Sequence, residues 1–208
     1  MARYTEAKCR LCRREGIKLF LKGEKCSSVK CILEKRNSTP GQHGHVRVRY
    51  SEYRVRLREK QKARRIYGIS EIQFGNYFGI ASKKKGVTGE VLLQLLERRL
   101  DNVLYRLGFA SSRSQARQFV AYGHVMVNGK KLDIPSYLVK SGDKVTLEQK
   151  LISGPLGETI RERVTQAKIP AWLELNPDMI EGTIRNFPSR QEIDVPINEQ
   201  LIVEFYSR

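Results

Sequence analysis

All four cysteines of the chain, Cys9, Cys12, Cys26 and Cys31, fall near its start, as a C-x2-C pair and a C-x4-C pair with thirteen residues between them. Two close pairs joined by a loop bring four soft thiolates toward one point, the pattern of a tetrahedral metal site. Zinc is the expected ion, and a four-iron four-sulfur cluster is the alternative that the same donors would hold. A full set of thiolates leaves no open coordination position, so the expected site is structural rather than catalytic. Disulfides are the competing reading, disfavoured by the reducing compartment inferred below. His43 and His45 lie close by, but four cysteines already complete the sphere, and these histidines read as loop or RNA-contacting residues.

The second chemistry is cationic. Lys and Arg number 39 against 22 Asp and Glu, a formal charge of +17. Such an excess opposes a compact fold unless a polyanion neutralises it, so a nucleic acid is the expected partner. Arg3, Arg10, Arg13, Arg14 and Lys18 surround the first cysteine pair. Part of their charge offsets the metal–thiolate dianion, and the rest is available to phosphate. In "SEYRVRLREKQKARRIYG", Arg54, Arg58, Lys62 and Arg65 recur at helical spacing, with Arg56, Lys60 and Arg64 in a neighbouring stripe. An ordinary solvated face mixes signs, whereas here Glu59 reads as almost alone among cations, which favours phosphate contact.

Other functions find little support. No apolar run approaches a membrane span, and "MARYTEAKCR" has no apolar segment ahead of a cleavage site, which leads to a cytosolic expectation. No triad or paired carboxylate is visible, and Asp101, Asp133 and Asp143 read as solvated or turn-forming residues, so no enzyme and no small-molecule substrate are expected. A zinc-dependent DNA regulator would need a recognition helix leading straight from the metal site, and "EGIKLFLKGEK" is short and bounded by glycine.

These residues need elements to hold them. "NSTPGQHGH", with Gln42 and His43, reads as a loop. Ser51 is a plausible N-cap and Gly68 a stop for the basic helix, and "SEIQ" from Ser70 matches a capping box for the next. Gly75 and Gly79, four apart, would let another backbone approach that second helix, or would simply weaken it. From Thr88 to Gly108 the leucines recur at helical spacing as core. Ser112 and Gln115 form a further capping box, with Arg113 and Arg117 one turn apart. "VMVNGKKL" places Asn128 and Gly129 as a two-residue hairpin turn ahead of Lys130 and Lys131. "SYLVKSGDKVTL" suggests another pair of short strands around Ser-Gly-Asp. "GETIRERVTQAKIP" reads as a helix ended by Pro170, and Trp172 beyond it as core. The terminal "EQLIVEFY" suits a helix or a strand.

The stretch "RRLDNVLYRLGFASSRSQARQFVAYGHVMVNGKKLDIPSYLV" resembles the S-four (αL) RNA-binding module. "CRREGIKLFLKG", "PGQHG", "LREKQKARRIYGI" and "INEQLIVEFYSR" extend the likeness along the chain to the universal S-four family of small-subunit ribosomal proteins, in a four-cysteine form. The resemblance implies an α+β fold: an N-terminal four-cysteine segment (1–45), a helical domain (46–97) completed by 197–208, and an inserted RNA-binding module of helices and a small antiparallel sheet (98–196). It also implies binding to the 5′ domain of small-subunit ribosomal RNA, nucleation of the subunit body, contact with ribosomal protein S-five and an influence on decoding accuracy. Arg106, Ser112, Arg113, Gln115, Arg117, Asn128, Lys130 and Lys131 are then RNA-contact candidates. Arg47 and Arg49 match the basic loop that faces the mRNA entrance in the family, while Val46 stands where a further basic residue is common.

Overall fold

The computed structural model describes residues 4–46 and 50–207. In chain order the described residues form α1 (Cys9–Glu15), α2 (Glu24–Ser27), α3 (Ile32–Lys35), α4 (Glu52–Tyr67), α5 (Glu71–Lys83), α6 (Thr88–Glu97), α7 (Leu100–Arg106) and α8 (Arg113–Ala121). Strands β1 (Val125–Val127), β2 (Lys130–Lys131) and β3 (Lys144–Leu147) follow, then α9 (Gln149–Ile152), α10 (Gly157–Gln166), β4 (Leu173–Asn176), β5 (Glu181–Ile184) and α11 (Glu199–Tyr206). They divide into two compact units, residues 1–92 with 195–208, and residues 93–194. The expected segment 1–45 thus shares a unit with α4, α5 and α11. Among the described residues, no helix is long and apolar enough to cross a membrane.

In the first unit, local chemistry sets the helix ends. The Ser51 hydroxyl accepts the Arg54 N–H (3.2 Å) and the Ser70 hydroxyl accepts the Gln73 N–H (3.3 Å), each satisfying an orphan donor of a first turn. α4 closes on Gly68 in the left-handed region (φ 64°), where only a missing Cβ is free of cost. The terminal segment resolves as helix: Ile202 is fully buried, Tyr53 meets Phe205 (5.8 Å between centroids), and Tyr206 stacks on Phe78 (4.4 Å). Among the described residues, nothing lies within 4 Å of where a Cβ would stand at Gly75 or Gly79, so the close backbone approach expected there is not seen among them.

The second unit contains an antiparallel sheet of order β2-β1-β3-β5-β4. Val127 pairs with Lys130 across Asn128 (φ 51°) and Gly129 (φ 75°), the two left-handed residues of a type I′ turn. The second local strand pair does not form. Only Leu138 makes a bridge, to Arg99, while β3 pairs with β1 and β5. The polar turn before β3 is used differently: the Gly142 N–H donates to the Ile184 carbonyl (2.8 Å) and buried Asp143 accepts the Lys140 N–H (2.7 Å). Trp172, 1% exposed, packs in the core with Leu100, Leu104, Leu107, Phe109 and Val145.

The leucine-rich stretch is not one helix. It breaks at Arg99, whose backbone is extended (φ −66°, ψ 137°). The Leu100 N–H turns to the Tyr137 carbonyl (2.9 Å) and the Val139 N–H to the Arg98 carbonyl (3.0 Å), so the gap in the helical ladder is filled from the 137–139 segment. Just beyond α7, Gly108 is left-handed (φ 79°), and a Cβ there would lie 2.7 Å from that of Ala167.

Candidate thiolate cluster and RNA-binding surface

α1 carries Cys9 and Cys12 one turn apart, and Cys26 and Cys31 lie in α2 and at the cap of α3. Cys12, Cys26 and Cys31 are buried and none of the four forms a disulfide. Burial pushes the Cys12 thiol up; the Leu19 backbone N–H opposes this, and Cys26, Cys9 and Cys31 add to the rise. The Lys22 N–H donates to Cys26 Sγ (3.3 Å), a bond that favours thiolate. In donor type and neighbourhood these residues fit a soft metal ion. Among the described residues, no group of three or more His, Cys, Asp or Glu side chains is placed so as to hold a metal ion.

The cations of the first unit divide by how they are held. Arg14, Gln42 and His43 are exposed, and Arg10 lies 3.8 Å from Glu6 with both side chains largely in solvent. Arg13 turns inward, its Nε donating to the Ser38 carbonyl (2.9 Å), and Lys18 bonds Glu34. Arg3, Arg47 and Arg49 lie outside the described residues.

α4 departs most from expectation. Glu59 is not its cations' main partner, because acids from other segments converge on it. Glu15, whose side chain is 3% exposed, takes Arg65 and Arg58 (3.6 Å). Burial raises the Glu15 carboxyl against the pull of both arginines, and burial likewise lowers Arg58. Glu204 and Glu52 hold Arg56 (2.6 and 3.1 Å), Glu59 holds Lys62 (2.6 Å), and Glu71 holds Arg64 (3.0 Å). Lys60 requires a correction. It is 5% exposed, bonded to Glu71, and its ammonium sits over the Phe205 ring (4.6 Å), so its expected place on phosphate gives way to a structural one. Arg54 differs in kind, lying over the Tyr50 ring (5.1 Å) with its Nε unsatisfied.

In the second unit, the arginines ahead of and along α8 rest on a buried polar network that the sequence did not reveal. Arg99 is fully buried and forks onto Asp101, with Nε–Oδ1 3.0 Å and Nη2–Oδ2 2.8 Å, and Arg117 lies 3.6 Å from the same carboxylate. Asp101 is thus a buried structural acid rather than a solvated one. Fully buried Glu97 accepts a second fork from Arg106 (3.0 and 2.8 Å) and the Asn102 amide (2.7 Å). Asn102 Oδ1 in turn accepts the Arg113 Nε–H (2.8 Å), and the Arg113 guanidinium lies over the Tyr105 ring (4.5 Å).

Ser112 caps α8 as expected, its hydroxyl accepting the Gln115 N–H (3.3 Å), but the Gln115 carboxamide reaches back to Ser111 rather than Ser112. Asn128 is held within the turn, donating to Asp143 (2.8 Å) and accepting the Lys144 N–H (2.9 Å). Lys130 and Lys131 are exposed, Lys131 3.6 Å from Glu148, which also bonds His124 (3.0 Å). These contacts draw the Glu148 carboxyl below its usual range, His124 most of all. The arrangement presents cations and helix donors on regular elements, which suits the binding of a polyanion.

Comparison with known proteins agrees with that chemistry. Residues 3–97 match the ribosomal protein S4/S9 N-terminal domain and residues 98–145 match the S4 domain. The chain is 59% identical, over the full length of both proteins, to the small ribosomal subunit protein uS4A of Symbiobacterium thermophilum. It is likewise 59% identical to uS4 of Dictyoglomus turgidum and 56% to uS4 of Thermodesulfovibrio yellowstonii, again across whole chains. The chain belongs to the ribosomal protein uS4 family.

Proposed function

We propose that this protein is a structural, non-enzymatic constituent of the small ribosomal subunit that binds the 5′ domain of the subunit's RNA and nucleates assembly of its body. The observation carrying this reading is the S4 module itself, with Arg113 and Arg117 on a serine-capped helix and Lys130 and Lys131 on a type I′ hairpin, in a chain of charge +17. Arginine and lysine side chains position the protein on phosphates, and the N-terminus of α8 adds backbone donors. Recognition is of RNA shape, because the deep A-form major groove excludes side chains. Its place is the cytoplasmic ribosome. Contact with ribosomal protein S-five and other small-subunit proteins, an influence on accuracy, and a position at the mRNA entrance tunnel with Arg47 and Arg49 facing the message belong to the same reading.

Cys9, Cys12, Cys26 and Cys31 would hold zinc, with a four-iron four-sulfur cluster as the alternative; the soft donor set, the burial of three thiols and the amide bond to Cys26 support this. The ion would supply a cross-link and no reaction. The protein's own residues extend that cross-link, since Glu15 at the end of α1 receives Arg58 and Arg65 of α4, and Arg13 ties α1 to residues 38–39.

Nuclease footprinting on naked small-subunit RNA, with metal analysis of the same sample, tests both statements. The expected result is protection confined to the 5′ domain and one zinc per chain. Protection scattered over the RNA would overturn the first statement, and protein without stoichiometric metal the second.

A further inference from the structure

The buried pair Glu97 and Asn102 holds Arg113, which the reading above places on RNA, and Arg106, a further candidate. Asn102 is 1% exposed, and its amide has one available orientation: Nδ2 donates to both the Glu97 carboxylate (2.7 Å) and the Glu97 carbonyl (2.9 Å), which leaves Oδ1 as the acceptor. That oxygen takes the Nε–H of Arg113 (2.8 Å). A guanidinium bonded through Nε and resting on the Tyr105 ring (4.5 Å) has its plane fixed by two independent contacts. Glu97 also holds Arg106 by a fork, so one carboxylate orients Arg106 directly and Arg113 through Asn102.

We infer that Asn102, oriented by Glu97, is a positioning residue for RNA binding, and that it acts by setting the plane of the Arg113 guanidinium, with Tyr105 as the platform. A planar fork delivers its donors to phosphate productively only in a limited range of orientations, and a side chain ordered in advance loses less entropy on docking. The inference rests on the reading of Arg113 as an RNA contact.

The test is a double-mutant cycle on the full-length protein, with affinity for a 5′-domain fragment of small-subunit RNA measured across a salt series. Asn102→Ala should weaken binding roughly fivefold, the cost of immobilising one loosened arginine. The slope of log affinity against log salt should stay unchanged, because the phosphate contact survives. Arg113→Ala should weaken binding and also flatten the slope by about 0.7–0.9. In the Arg113→Ala background, Asn102→Ala should change affinity less than about twofold, the signature of residues acting as a unit. Tyr105→Leu, which preserves an apolar side chain, should repeat the Asn102 pattern and covers the case in which Asn102→Ala fails to fold. Additive losses in the cycle, or no loss on replacing either Asn102 or Tyr105, would overturn the positioning role. An Arg113→Ala protein with unchanged affinity and slope would overturn the RNA contact itself, a distinguishable failure.

Discussion

Asp101 accepts from Nε and Nη2 along one edge of the Arg99 guanidinium in a site where Arg99 has no exposure, with Arg117 3.6 Å away. Removing one member of a buried pair leaves the other charge desolvated and uncompensated, which costs more than the pair contributes while intact. Asp101→Ala should therefore lower the free energy of unfolding by about 3–5 kcal/mol, read from urea denaturation; a loss below about 1 kcal/mol would mean that Arg99 finds solvent or another acceptor. Residue types were legible in the sequence, and partners were not. The charge run of α4 read as a bare cationic stripe because Glu15 and Glu204 are remote in sequence and Glu71 lies beyond the helix stop at Gly68, and no local pattern places a carboxylate from α1 or α11 against Arg65 or Arg56. Glu97 and Asn102 are only five residues apart, and what hid their contact is the break in the helix at Arg99 between them.

At the scale of elements, the serine N-caps and the Asn-Gly turn were legible, since a serine hydroxyl, an Asn-Gly pair or a glycine beyond a helix acts within a few residues, whereas the Ser-Gly-Asp turn joins no local strand pair. The break between α6 and α7 was not legible, because periodicity continues through Arg99 and the bonds that fill the gap come from residues 137–139. α11 was ambiguous for a similar reason, resolved by packing on α4. The packing of α11 on α5, where Tyr206 stacks on Phe78, has a measurable signature. Burial, reinforced by Glu71, raises the Tyr206 phenol to about 12, above the ordinary value near 10. A group whose folded pKa is raised contributes stability that is complete below the unfolded pKa and is lost as pH rises through the folded one. Stability should accordingly fall between about pH 10 and pH 12. Tyr206→Phe should remove that part of the pH dependence in paired denaturation curves. Identical slopes in the two proteins would place Tyr206 in solvent.

For the molecule as a whole, charge gives the class of partner, and it does so without fixing which cations meet it. The excess of 39 Lys and Arg over 22 Asp and Glu remains after the internal pairs of α4 and α7 form, since each pair removes one charge of either sign. Neutralising phosphates releases counterions, so affinity must fall steeply with salt. The most direct measurement is a salt titration of binding to a 5′-domain fragment of small-subunit RNA, with duplex DNA as competitor at physiological ionic strength. With six to ten phosphate contacts, affinity should drop by roughly 10³–10⁵ between about 50 and 200 mM salt, and RNA should remain bound in the presence of excess DNA. Binding that barely changes with salt, or that duplex DNA displaces at equal concentration, would contradict the account.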